Sequence, residues 1–261
     1  MPAPPVLLRR ARPALALLTA CLVASGLVAC TGERPQLAAD AQTTTTETST
    51  TEATEPDEPE VAEANEPTIN VYESADAPEA ERQIVSGVDT SLDTIPIVFL
   101  VKDREPDAHR IEVYLPVPPN GSTGWVDAVD VTLRTTPYRI DVQISEHRLR
   151  VYRGDEVILD EPAGVGPSDR PTPGSYYLRE LLEPPDPDGP FGAYTYGLSG
   201  SANVLESVEG AAGLLGIHGT DQPDTIGEDV ESGSISLRND VIARLVEEIG
   251  LPLGTPVDVS E

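Results

Sequence analysis

Gly216-Ile217-His218-Gly219-Thr220 and, further along, Gly233-Ser234-Ile235-Ser236-Leu237-Arg238-Asn239 frame the stretch whose reading decides the fold. Leu214 to Ile217 is a short apolar run that ends at His218 and a glycine turn, the signature of a buried strand. Asn239 stands where a helix would be capped. From there Val241, Ile242, Leu245, Val246 and Ile249 recur at helical spacing until Gly250 and Pro252 stop the pattern. Thr255 to Val259 then returns to strand character. One convincing helix set among short strands predicts a mainly β chain, arranged as a sandwich.

Upstream the period stays close to two. Tyr138 to Ile144 alternates apolar and polar residues, Arg148 to Tyr152 and Glu156 to Leu159 flank a turn at Gly154-Asp155, and Ser175 to Leu182 follows a Pro/Gly-rich bend. Earlier still, Ile95 to Val101, Ile111 to Val117, Gly124-Trp125-Val126 and Val131-Thr132-Leu133 are strand candidates. Pro116, Pro118, Pro119, Asn120 and Gly121 mark a tight connection among them. These divide the ordered chain into a small β module of SH3-like size over residues 84–135 and a second domain over residues 136–261. The module is small enough that packing on its neighbour is expected.

Residues 30–83 have a different chemistry. The Thr43 to Thr46 tract and the Glu-Pro pairs at 55–56, 58–59 and 66–67 offer little apolar surface to offset ordering entropy, which predicts a disordered tether. A coil of roughly 50 residues averages about 40 Å end to end. Before it, Arg9, Arg10 and Arg12 precede an apolar run from Ala14 to Ala29, the pattern of an export signal over residues 1–29. Leu27-Val28-Ala29-Cys30 resembles the lipobox of bacterial lipoproteins. The resemblance implies cleavage before Cys30, lipidation of its thiol, attachment to the membrane and an extracytoplasmic location from which the tether reaches the cell wall. Cys21 leaves with the signal, so the mature chain keeps no thiol for catalysis.

The His-Gly-Thr segment, the spacing from it to Gly233-Ser234-Ile235, the Leu237-Arg238-Asn239 that follows, and the terminal helix are similar to the L,D-transpeptidase (YkuD-type) catalytic domain. Gly227, Ser232 and Gly233 fall in the same register. The likeness extends over roughly residues 111 to 259. It takes in Leu115 to Val126, Gly164-Val165-Gly166 with Pro171-Thr172-Pro173-Gly174 as a hairpin, and a Gly/aromatic lid segment before Leu198-Ser199-Gly200. The resemblance implies a cell-wall acyltransferase that attacks the third residue of a peptidoglycan stem tetrapeptide, releases the terminal D-alanine and passes the acyl group to an amine, making a 3→3 cross-link. By the same match His218 is the base, Ser234 occupies the nucleophile position, and the amides around Gly233 and Ser234 are oxyanion donors. Thr220, Ser232, Ser236, Asn239, Tyr194 and Tyr196 fall on the substrate-binding side, the two tyrosines being open equally to a packing role.

Two departures from the family pattern bear on the chemistry. Serine replaces the nucleophilic cysteine at 234, and serine replaces an arginine at 236. A thiol is partly ionised at neutral pH, whereas an alkanol must lose its proton to a well-oriented base as it attacks. Losing the arginine removes a planar donor fork suited to a carboxylate. Arg238 could replace it only if the backbone turned it inward. The sequence therefore leaves three readings open: an acyltransferase working through Ser234 and His218, a non-catalytic module that binds peptidoglycan or a partner, and a simple spacer. A single cleft lined by Tyr194, Tyr196, His218 and Ser234 separates the first two from the third.

A formal charge of −28, with Lys102 the sole lysine, leaves no basic patch and weighs against nucleic acid as a partner. His109 and His147 lie outside the motifs and are expected at the surface. The His and carboxylate residues show no metal-ligand spacing, and nothing in the sequence implies a cofactor.

Overall fold

The computed structural model describes residues 58–87, 94–166, 172–200, 215–230 and 234–261. The expected signal, Cys30, most of the expected tether, Ser232 and Gly233 lie outside the described residues.

Order begins earlier than composition suggests. β1 (Glu60–Ala64) falls inside the expected tether yet lies between β4 (Val98–Asp103) and β7 (Val131–Thr135) in a five-stranded sheet that β5 (Arg110–Tyr114) and β6 (Thr123–Asp127) complete. β2 (Thr68–Val71) and β3 (Arg82–Val85) form a separate hairpin. The expectation of a disordered chain to residue 83 is therefore corrected. Val61 and Ala62 have no exposure, and Ile69 and Val71 are buried as well, so a few apolar residues at strand spacing suffice where a sheet already offers a partner. The module's core is Ala62, Phe99, Ile111, Val113 and Val126, with Ile69 and Val71 from the hairpin.

The second domain is one nine-stranded mixed sheet, in the order β10-β9-β8-β16-β12-β13-β14-β15-β11. Its strands are β8 (Tyr138–Gln143), β9 (Arg148–Arg153), β10 (Glu156–Pro162), β11 (Gly164–Val165), β12 (Gly174–Leu182), β13 (Thr195–Leu198), β14 (Gly216–His218), β15 (Ile235–Ser236) and β16 (Pro256–Ser260). Two of its pairings, β8 with β16 and β14 with β15, are parallel; the others are antiparallel. Residues from both ends of this sheet meet in one core. Ile140, Leu149, Leu198, Ile217, Ile235 and Ile242 belong to it together.

Two local expectations change. The Gly164 segment does not form a hairpin with the strand that Gly174 begins, because β11 pairs with β15. The segment expected as part of a lid contains β13, whose four residues are all buried. The helix α1 (Asn239–Ala243) continues through a π turn, Arg244–Ile249, and stops at Gly250, whose φ of 66° is left-handed. Asn239 does not cap it; the cap position is Arg238.

The two sheets share an interface built from Val61, Val98 and Tyr177. Tyr177 Oη donates to the Tyr114 carbonyl at 3.1 Å, and Arg134 Nη2 donates to the Leu253 carbonyl at 2.6 Å. Gly254, at φ +86°, packs its α-carbon against Val61; a Cβ there would stand 2.6 Å from Val61 Cγ2.

Candidate active site

β14 and β15 run parallel with His218 beside Ser236, so Ser234, two residues before Ser236, is brought alongside the same histidine. His218 Nε2 lies 2.7 Å from Ser234 Oγ. On the other side of the ring Nδ1 bonds the Gly219 carbonyl, which can only accept. That contact places the ring proton on Nδ1 and leaves the Nε2 lone pair facing the serine hydroxyl. Burial pushes the imidazole below its ordinary value of 6.5, against the opposing pull of the Gly219 carbonyl. His218 is thus neutral at pH 7, as a base must be. Phe191 stands edge-on to it, ring centroids 5.2 Å apart at 78°.

The turn after His218 is held by contact as well as by hydrogen bonds. Gly192 and Gly219 lie flush: a Cβ on Gly192 would come within 2.6 Å of Gly219 Cα. Asn239 Oδ1 accepts the Thr220 amide at 2.8 Å, tying the start of α1 to the end of β14. Thr220 Oγ1 in turn accepts the Gln222 amide at 3.0 Å. Asn239 therefore positions the His218-Gly219-Thr220 turn. No substrate contact is needed to explain it.

A cavity of about 590 Å³ opens beside the pair, lined by Pro190, Phe191, His218, Thr220, Asp229 and Ser236 among others. Ser236 is 4% exposed and its Oγ donates to the Gly164 carbonyl at 3.3 Å. Arg238 does not replace the missing arginine: it points to solvent and pairs with Asp240 at 3.2 Å. Ser234 itself has no exposure.

Not every expected residue reaches this site. Tyr196 is 1% exposed, lies in the core, and donates its hydroxyl to the Leu251 carbonyl at 3.1 Å. Tyr194 packs against the same core and donates to Glu247 Oε1 at 2.9 Å. Of the two roles open to these tyrosines the structure shows the packing one, each hydroxyl being engaged at the helix end of the core. The cleft expected from Tyr194, Tyr196, His218 and Ser234 is thus realised only in its histidine and serine. Phe191 supplies the aromatic wall, which nothing in the sequence but its place in a Gly-Pro-Phe-Gly turn signalled. Thr195 was also missed. It pairs with His218 across β13 and β14, and its buried Oγ1 has no hydrogen-bond partner. His109 is exposed, whereas His147 is half-buried and bonds Asp229, a residue of the cavity wall.

The model of the L,D-transpeptidase catalytic domain matches residues 137–259. Two curated Bacillus proteins bearing the L,D-transpeptidase name YkuD are similar. That of Bacillus licheniformis is 33% identical over 126 residues, 48% of this chain and 67% of its own. That of Bacillus subtilis is 32% identical over 127 residues, 48% of this chain and 68% of its own. Among solved structures, an L,D-transpeptidase from Mycobacterium smegmatis covers 74% of this chain and 99% of its own at 13% identity, with a TM-score of 0.40.

Proposed function

This chain belongs to the L,D-transpeptidase catalytic-domain family, whose members cross-link peptidoglycan, and from that premise we propose that it transfers acyl groups between peptidoglycan stem peptides through Ser234. The observation that carries the proposal is the 2.7 Å contact of Ser234 Oγ with the lone-pair nitrogen of a neutral, carbonyl-anchored histidine. Such an array lets a serine do what a thiolate does unaided.

The steps follow from the proton positions. Ser234 Oγ attacks the donor carbonyl while its proton passes to His218 Nε2. The tetrahedral intermediate collapses, the C–N bond to the terminal residue breaks, and Nε2 returns the proton to the departing amine. An ester remains on Ser234. The acceptor amine attacks it, loses its proton to Nε2, and Ser234 leaves with that proton restored. The Gly219 carbonyl stabilises the transient imidazolium through the Nδ1 proton.

A second reading has its own support. Ser234 is fully enclosed and Ser236 supplies no guanidinium, which favours a domain that holds stem peptides without turning them over. Carbapenem acylation followed by intact-mass spectrometry separates the two. The first reading expects an adduct on the native chain at Ser234, forming at least about tenfold faster in Ser234→Cys because a thiol is already partly ionised. No adduct on the native chain, with one on Ser234→Cys, establishes the second reading. No adduct on either removes the catalytic proposal and its scaffold together. Attachment through Cys30 and reach to the wall through the residues after it complete the proposal, supported by the lipobox-like Leu27 to Cys30 and the polar composition that follows.

A further inference from the structure

β14 lies between β13 and β15, so His218 has a neighbour on each flank of one sheet face. On the β15 flank Ser234 Oγ meets Nε2. On the β13 flank stands Thr195, paired with His218 in register. The Gly219 amide donates to the Tyr194 carbonyl at 3.4 Å, one residue beyond the pair, which makes Thr195 and His218 a non-hydrogen-bonded pair. In such pairs the α-carbons are about 4.5 Å apart and the facing side chains come closest. Both residues face away from the core that takes Tyr196 and Ile217, the next residue of β13 and the preceding one of β14.

Thr195 has no exposure, and its Oγ1 has no hydrogen-bond partner among the described residues. A hydroxyl buried in that way costs stability, and a valine of the same shape would remove the cost. Leu182 of β12, its other direct neighbour across the strands, offers nothing to bond. His218 does. A buried hydroxyl idle beside an imidazole calls for a use outside the resting state.

Acyl transfer through Ser234, the reading on which this inference rests for its purpose, supplies such a state. While Ser234 keeps its proton it can donate to His218 Nε2. Once its oxygen is esterified it has no proton to give, and the Nε2 lone pair loses its donor just when the ring must stay in place for the incoming amine. We propose that Thr195 is a positioning residue for His218, its hydroxyl taking the hydrogen bond of the imidazole whenever Ser234 Oγ cannot. The hydroxyl suits both proton states of the ring, because its O–H donates to a bare Nε2 and its oxygen accepts from Nε2–H. A change of side-chain torsion completes the approach, since the register has already brought the two residues face to face.

Nitrogen-15 NMR of the histidine rings reads this bond without any acylation. The chain has three histidines, and His218→Gln assigns the signal in question. In Ser234→Ala, which removes the first donor, the His218 Nε2 resonance at neutral pH and above should stay at a hydrogen-bonded position. In Ser234→Ala/Thr195→Val it should move to that of an unbonded ring nitrogen, and Ser234→Ala/Thr195→Ser should bring it back. Thermal midpoints test the same claim through a change of sign. Thr195→Val should leave the midpoint level or raise it in the native background, and lower it in Ser234→Ala, where the hydroxyl has a partner to lose. An unbonded Nε2 in Ser234→Ala alone, or an equal effect of Thr195→Val in the two backgrounds, would overturn the proposal. A double variant whose Nε2 stays bonded would assign the bond to water in the vacated space and overturn it too. In the acylated chain, Thr195→Val should slow transfer of the acyl group to an added amine at least about tenfold, with Thr195→Ser within about threefold of native. Transfer as fast in Thr195→Val as in the native chain would remove the positioning role. Absence of any carbapenem adduct counts against the acyl-transfer reading alone, because the nitrogen and midpoint measurements decide the hydrogen bond without it.

Discussion

His218 joins two requirements of the proposed chemistry in one side chain: it must be neutral to accept a proton, and it must be held so that its lone pair faces Ser234. Burial supplies the first and the Gly219 carbonyl the second. Since the imidazole titrates below 6.5, carbapenem acylation should be level through neutral pH and fall only on the acid side of that value. A pH–rate profile whose acid limb is centred above 6.5 would contradict the burial argument. The same shift acts on stability. The unfolded chain binds a proton at this histidine more readily than the folded one, so the contribution is complete above the unfolded value and declines as pH falls through the folded one. The contact between His218 and Ser234 was legible from their spacing because motif residues must keep their order. The roles of Asn239, Tyr194 and Tyr196 were not, because which way a side chain points depends on neighbours brought from distant strands.

Among the elements, those with a long, clean alternation were readable. β8 and β9 bury every second residue over much of their length, and a period of two is visible in any such run. β11 and β15 have two residues each, too few to show a period, and β13 is buried at all four positions, so it has no polar face to alternate with. β1 was hidden differently. Its Val61 and Ala62 lie in a stretch whose average composition is that of a tether, yet five residues of it pair with β7 and three with β4. An inner strand with a buried side chain tolerates no charge. Val61→Asp should therefore destabilise the module by roughly 3 kcal/mol or more, through an unpaired buried charge. Limited proteolysis would then cut between Glu58 and Thr135 under conditions where the native chain resists. Equal resistance would mean that β1 is dispensable to the sheet.

At the scale of the molecule, the two sheets are joined by side chains that belong to both. Gly254 is the tightest point, its φ of +86° and its contact with Val61 each excluding a side chain. Gly254→Ala should cost roughly 2 to 4 kcal/mol, from left-handed backbone strain and overpacking together, and lower the thermal midpoint. A calorimetric midpoint unchanged from the native chain would show that the interface yields cheaply. The proposed function needs both an anchor and a reach from membrane to wall, and the segment before Glu58 has the composition for each: a lipobox-like Cys30 and a polar stretch after it. In the proposed arrangement the anchor is covalent lipid on one thiol, so a single atom carries it. Cys30→Ala, expressed in a bacterium that processes lipoproteins, should move the protein from the membrane pellet to the soluble fraction and leave the leader uncleaved or cut elsewhere. N-terminal mass analysis of the native chain should find lipid on Cys30. Membrane association that survives Cys30→Ala would place the anchor elsewhere and leave the residues after Cys30 without the tethering role proposed for them.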